Sequence, residues 1–150
     1  MTANTAAIHP LTPVIGQASL AAATACTTRG PIAHANITAT PCYGVALIPI
    51  STNGQKIDVI QVKAISTSFT AASAAMEVLI WISDGSTAYV FDEILVTAVT
   101  PNTTTTASFN TSKSYTNLVL PPGSSLWAST SVTTTASTTA LLVTALGGSY

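Results

Sequence analysis

The sequence predicts an all-β fold: an antiparallel two-sheet sandwich of about eight strands, jelly-roll-like, with an extended N-terminal arm. Three observations carry this. Apolar and polar residues alternate with a period of two, as in Met76 to Ser83 and Leu126 to Val132. Turn signals recur between such runs, at Asn53-Gly54, Asp84-Gly85 and Pro121-Pro122-Gly123. Threonine makes up 27 of the 150 residues, and β-branched side chains suit a pleated, half-solvated face.

The elements follow in chain order. Residues 1–44 are rich in Ala, Thr and Pro, with Pro10, Pro13, Pro31 and Pro41 spaced too closely for a long helix. This stretch is expected to be an arm lying on its own domain or on a neighbour, with one or two short strands such as Ala35 to Ala39. Gln17 to Ala25 is at best a short, weak helix. Ile8, Leu11, Val14 and Ile15 show no clean period and are candidate contact residues of the arm.

Residues 45–150 are expected to form the sandwich. Val45 to Ile50 is a β-branched run that Pro49 places toward a sheet edge. Asn53-Gly54 then turns into a long strand, Ile57 to Ile65. Ala71 to Met76 is the one plausible helical turn. Met76 to Ser83 and Tyr89 to Val96 form a hairpin around Asp84-Gly85. Thr103 to Phe109 reads as an exposed strand or loop, and Asn117 to Leu120 as a strand ending at the double proline. Leu126 to Val132 follows, then a polar tip from Thr133 to Thr139. Leu141 to Leu146 closes the domain before Gly147-Gly148 releases Tyr150.

Charge sets the functional bounds. Four Lys+Arg and five Asp+Glu amount to 6% of the chain, against about 25% in an average soluble domain. Four dispersed basic residues cannot neutralise a row of phosphates, so nucleic acid is not an expected partner. No apolar run reaches the roughly 18 residues of a spanning helix, so no membrane partner is expected. Met1 to Thr12 has no Lys or Arg, and His9-Pro10 and Pro13 interrupt the segment, unlike a secretory signal. Cys26 and Cys42 are the only thiols. They are either a disulfide or two reduced, buried cysteines, and a cytoplasmic folding compartment favours the second.

Catalytic chemistry finds little support. Asp84 sits in a turn, where Asp bonds its own backbone, and Asp92 and Glu93 should point to opposite faces of a strand. A glycosidase built on two of these three needs them across one cleft. His9 and His34 lie in the arm with no visible orienting partner. Phosphate-cradling, zinc and nucleophile-elbow motifs are absent, and no metal or cofactor is expected. Trp81, between Ile80 and Ile82, is expected in the core. Trp127, alternating with Ser129 and Ser131, has the better claim to exposure. It is the candidate for a contact surface or for stacking on a carbohydrate.

The series Lys56 to Ala64, Val78 to Gly85, Phe91 to Val96 and Asn117 to Thr130 resembles small β-sandwich virion proteins of tailed bacteriophages. The likeness lies in the Asp84-Gly85 hairpin, the Glu93-Ile94-Leu95-Val96 strand and the segment Leu118-Val119-Leu120-Pro121-Pro122-Gly123-Ser124-Ser125-Leu126-Trp127-Ala128-Ser129. It covers roughly residues 56–132 and carries no active-site residues. It implies a capsid decoration or cement protein, with a tail or head-fibre component or an adhesin module as alternatives. The implied partners are further copies of the chain, as a homotrimer, and the major capsid protein. The implied location is the particle surface, after assembly in the host cytoplasm.

Overall fold

In the computed structural model, residues 12–67 and 71–150 are described. Nine strands are found among them: β1 Thr12–Leu20, β2 Ile32–Ala33, β3 Val45–Ile48, β4 Gln55–Ala64, β5 Met76–Ser83, β6 Thr87–Val96, β7 Asn110–Leu120, β8 Ser125–Thr130 and β9 Leu141–Ser149. They form two antiparallel sheets. Sheet A has the order β1-β9-β4-β7 and sheet B the order β2-β6-β5-β8-β3. Only the β5–β6 hairpin joins consecutive long strands within one sheet; every other link from β3 onward changes sheet. Setting the short β2 aside, this interleaved order is that of a jelly roll.

The main core lies between the sheets. It is built from Ala18 and Leu20 of β1, Leu47 and Ile48 of β3, Ile57, Ile60 and Val62 of β4, Val78 and Ile80 of β5, Leu126 and Ala128 of β8, and Leu141, Val143 and Ala145 of β9. Alternation therefore holds where the sequence shows it.

The arm expectation is corrected for residues 12–20. Thr12–Leu20 is a full strand of sheet A, paired residue for residue with β9 from Thr12↔Ser149 to Leu20↔Leu141. Its inward positions are Val14, Gly16, Ala18 and Leu20, so the period of two is present but carried by small side chains. Gly16 is required there: a Cβ would overlap the Leu47 carbonyl oxygen where β1 crosses over β3. The weak helix from Gln17 is accordingly not formed.

Residues 21–44 lie on their own domain, one of the two expected placements. From Cys26 to Cys42 they run across the outer face of sheet B and cover part of it. Cys26 N–H donates to the Thr130 carbonyl at 2.7 Å, and His34 N–H to the Ser86 carbonyl at 2.7 Å. Ala35 to Ala39 is not a strand; a 3-10 turn at His34–Asn36 follows the two-residue β2. Beneath this cover is a second core of Cys26, Ile37, Cys42, Leu79, Trp81 and Ala88. Cys26 and Cys42 are joined as a disulfide, which corrects the preference for free thiols. Its 16-residue separation corresponds to about 3 kcal/mol of loop-closure stabilisation.

Smaller corrections follow from the same topology. Asn53-Gly54 does not close a hairpin, because β3 belongs to sheet B and β4 to sheet A. Ala71 to Met76 is not helical; Ser73 makes an isolated bridge with Val99. The polar stretch Asn110 to Thr116 belongs to β7, an edge strand, where hydroxyls and Lys113 are solvated. Thr134, within the expected polar tip, is buried; its hydroxyl donates to the Leu20 carbonyl at 2.7 Å and accepts Ala23 N–H at 2.9 Å. Gly147-Gly148 does not release the chain, since β9 continues to Ser149.

Candidate functional site

The candidate contact residues separate. Ile8 and Leu11 lie outside the described residues. Val14 points inward and packs on the main core, so it is not a surface residue. Ile15 is 67% exposed on the outer face of sheet A. Trp127 is partly exposed, unlike the fully buried Trp81: it packs against the second core, its Nε1–H donates to Ser125 Oγ at 2.9 Å, and its ring and that of His34 meet edge to face at 5.6 Å.

The outer face of sheet A is a candidate contact surface four strands wide. Strand register places three rows across it: Ile15–Leu146–Val59–Ser114, Gln17–Thr144–Gln61–Ser112 and Ser19–Leu142–Lys63–Asn110. Apolar, hydroxyl and amide groups make up these rows, and Lys63 is their single charge; the adjoining row Pro13–Gly148–Lys56–Val119 adds the Lys56–Asp58 ion pair. Gln61 Nε2–H donates to Asn110 Oδ1 at 3.0 Å, which fixes part of the polar face. A surface like this loses little solvation of ions when covered.

The outer face of sheet B is different. The segment from Cys26 to Cys42 covers part of it, and Arg29 at the border of this cover pairs with Glu77 and, at 2.8 Å, with Glu93. Beyond Arg29 the sheet is open. A groove of about 850 Å³ runs there, lined among others by Arg29, Glu77, Leu95, Ser131 and Val132. Leu95 is 71% exposed and Val132 42%. Arg29 had no predicted role because both of its carboxylates come from distant strands.

The remaining carboxylates serve the fold. Asp84 accepts the Ser86 and Thr87 N–H groups at 2.8 and 2.7 Å, and the Thr87 and Ser86 bonds hold its pKa below the usual carboxylate range. Asp92 points inward across the open edge of the sandwich, where it accepts from Lys113 Nζ and Tyr115 OH, both at 2.6 Å. Burial pushes its pKa up, but the bonds from Lys113, Tyr115 and the Glu93 N–H outweigh this, and the net shift is downward. Burial, then the bond to Asp92, raises the Tyr115 phenol. Asp92 and Glu93 do face opposite ways, toward β7 and Arg29 respectively, so they share no cleft.

The Asp92 clamp has a pH signature. A depressed folded pKa contributes stability above the unfolded Asp value, about 3.9, and loses it as pH falls through the folded value. Tyr115, raised in the folded state, contributes below the unfolded Tyr value, about 10, and loses it on the alkaline side. Asp92→Asn is expected to cost about 1–2 kcal/mol at neutral pH and to lose that deficit in acid. Melting temperature measured from neutral pH into acid checks this; parallel curves for the two proteins would contradict it.

His34 has the orienting partner that the sequence did not reveal: its Nδ1 and Ser83 Oγ lie 2.7 Å apart. Ser83 is fully buried, so this pair ties the cover to β5 and presents no nucleophile to solvent. His9 lies outside the described residues. Among the described residues no three His, Cys, Asp or Glu side chains are grouped to hold a metal ion. Comparison with known protein families, with characterised proteins and with solved structures gave no match to this chain.

Proposed function

We propose that this chain is a structural protein of a tailed-bacteriophage particle, a decoration or cement protein that docks on the head shell and packs beside copies of itself. The observation that carries the proposal is the outer face of sheet A, four strands wide, with Ile15, Val59 and Leu146 in one row and, besides the internally paired Lys56 and Asp58, Lys63 as its one unpaired charge among the described residues. Such a face is suited to being covered by protein, because apolar area is gained and few ions are desolvated. The jelly-roll strand order and the sequence likeness to phage sandwich proteins support the same reading. The implied partners are the major capsid protein and further copies, as a homotrimer, at the particle surface.

Docking is assigned to residues 1–11, which contain Ile8 and Leu11, and to the sheet faces. A truncation test must stop at residue 11, since residues 12–44 belong to the sandwich and its cover. The test is co-sedimentation of the purified protein with undecorated phage heads. Stoichiometric binding is expected for the full chain, and loss of binding at unchanged melting temperature for the form lacking residues 1–11. Full-length protein that leaves every head unbound would overturn the proposal.

A further inference from the structure

Only nine side chains in this protein carry a formal charge, and their pairing is uneven. Lys56 pairs with Asp58 at 2.5 Å and Lys113 with Asp92 at 2.6 Å. Asp84 spends its carboxylate on backbone N–H groups. Arg29 is shared by Glu77 and Glu93, which leaves one negative charge uncompensated at the sheet B groove. Lys63 is the one cation that makes no ion pair among the described residues. It stands on the outer face of sheet A, beside Leu142 and Asn110. The unmatched cation and the unmatched carboxylate thus lie on opposite faces of the molecule.

We propose that copies of this chain associate head to tail, with Lys63 on sheet A of one copy entering the groove on sheet B of the next that Arg29 and Glu77 line, where Glu93 is the second carboxylate on Arg29. This rests on the assembly reading above and names the two faces involved. Charge complementarity argues for a second copy as the occupant: each face lacks what the other supplies. The apolar parts match as well. Leu95 and Val132 border the groove, and Leu142 lies next to Lys63 in its row. Lysine suits the role because a four-carbon stem lets its ammonium reach into a recess while the stem covers apolar surface. Two different faces in contact form a heterologous interface, which closes into a ring when its rotation permits and otherwise extends as a filament.

The experiment is a charge swap on the full chain, read by light scattering on a sizing column and by native mass spectrometry. The unmodified protein is expected to be oligomeric, with association weakening as salt is raised. Lys63→Glu is expected to weaken self-association at least about tenfold, and Glu93→Lys likewise. The double variant, with both charges exchanged, is expected to restore it. Glu93→Gln covers the case in which Glu93→Lys disturbs Arg29 and misfolds; it should weaken association with an unchanged melting temperature. A monomeric unmodified protein, an oligomer indifferent to Lys63→Glu, or a folded double variant that stays dissociated would each overturn the proposal. Head binding is measured separately, so a protein that oligomerises in this way but ignores phage heads would sink only the virion assignment.

Discussion

Replacing Gly147 by alanine is expected to destabilise the protein by about 3 kcal/mol, the upper part of the range for overpacking a filled interior. Gly147 lies in β9, between Val14 of β1 and Ile57 of β4. The register of β4 shifts between Ile57 and Val59, on its pairing with both β9 and β7. At this bulge the β4 backbone presses on β9. A Cβ on residue 147 would overlap the Lys56 carbonyl oxygen and come to 3.0 Å from Ile57 Cα. Both obstacles are backbone, so no side-chain rotation relieves them. With a urea slope of about 2 kcal/mol/M, the unfolding midpoint should fall by roughly 1.5 M. Gly30→Ala is the control, since a Cβ there meets nothing nearer than Thr28 Oγ1 at 3.8 Å. Equal midpoints for the two variants would show that β9 has room to spare at this crossing.

Trp81→Ala is expected to cost about 3–5 kcal/mol, the usual range for removing a buried aromatic side chain. Trp81 is fully buried in the second core, opposite Trp127 in the β5–β8 pairing. Its Nε1–H donates to Ser129 Oγ at 2.9 Å, so the substitution also takes away a buried hydrogen bond. The loss should fall first on residues 21–44, which rest on this ring and its neighbours. Trypsin provides a local readout, because Arg29 lies within the cover while Lys56, Lys63 and Lys113 lie in strands. Cleavage after Arg29 should accelerate in Trp81→Ala well below the temperature of global unfolding. Unfolding of the sandwich and cleavage at Arg29 in a single step would mean that the second core is not a separate unit.

The sheet framework was legible where side-chain size and polarity agree with position. Met76 to Ser83, the Asp84-Gly85 hairpin and Leu126 to Thr130 fall where the alternation puts them. β1 was illegible because its inward positions include Gly16 and Ala18, while Ile15 faces solvent. Packing distance, set by β3 on the far sheet, selected small residues and erased the hydrophobic contrast. The partial cover over Trp127 was illegible for a related reason. Alternation shows that Trp127 faces away from the main core, but not that a second layer covers that side. Covering required residues 21–44 to cross sheet B, and no local pattern encodes a surface contributed by β5, β6 and β8. Of the proposed contact surface, the exposed Ile15 was a candidate in the sequence, whereas Lys63 and the Arg29 groove emerge only from strand register and from ion pairs between distant strands.

The pairing of β1 with β9 bears on how the molecule is made. Thr12 meets Ser149, so the first described strand finds its partner only when the last one has been synthesised. Until then β1 has no sheet A neighbour, since β9 separates it from β4. Closing so long a loop is slow, and exposed strand edges are most open to wrong partners in that interval. During synthesis the β5–β6 hairpin and the β4–β7 pair can therefore form first, and sheet A is completed only after the β9 residues have emerged.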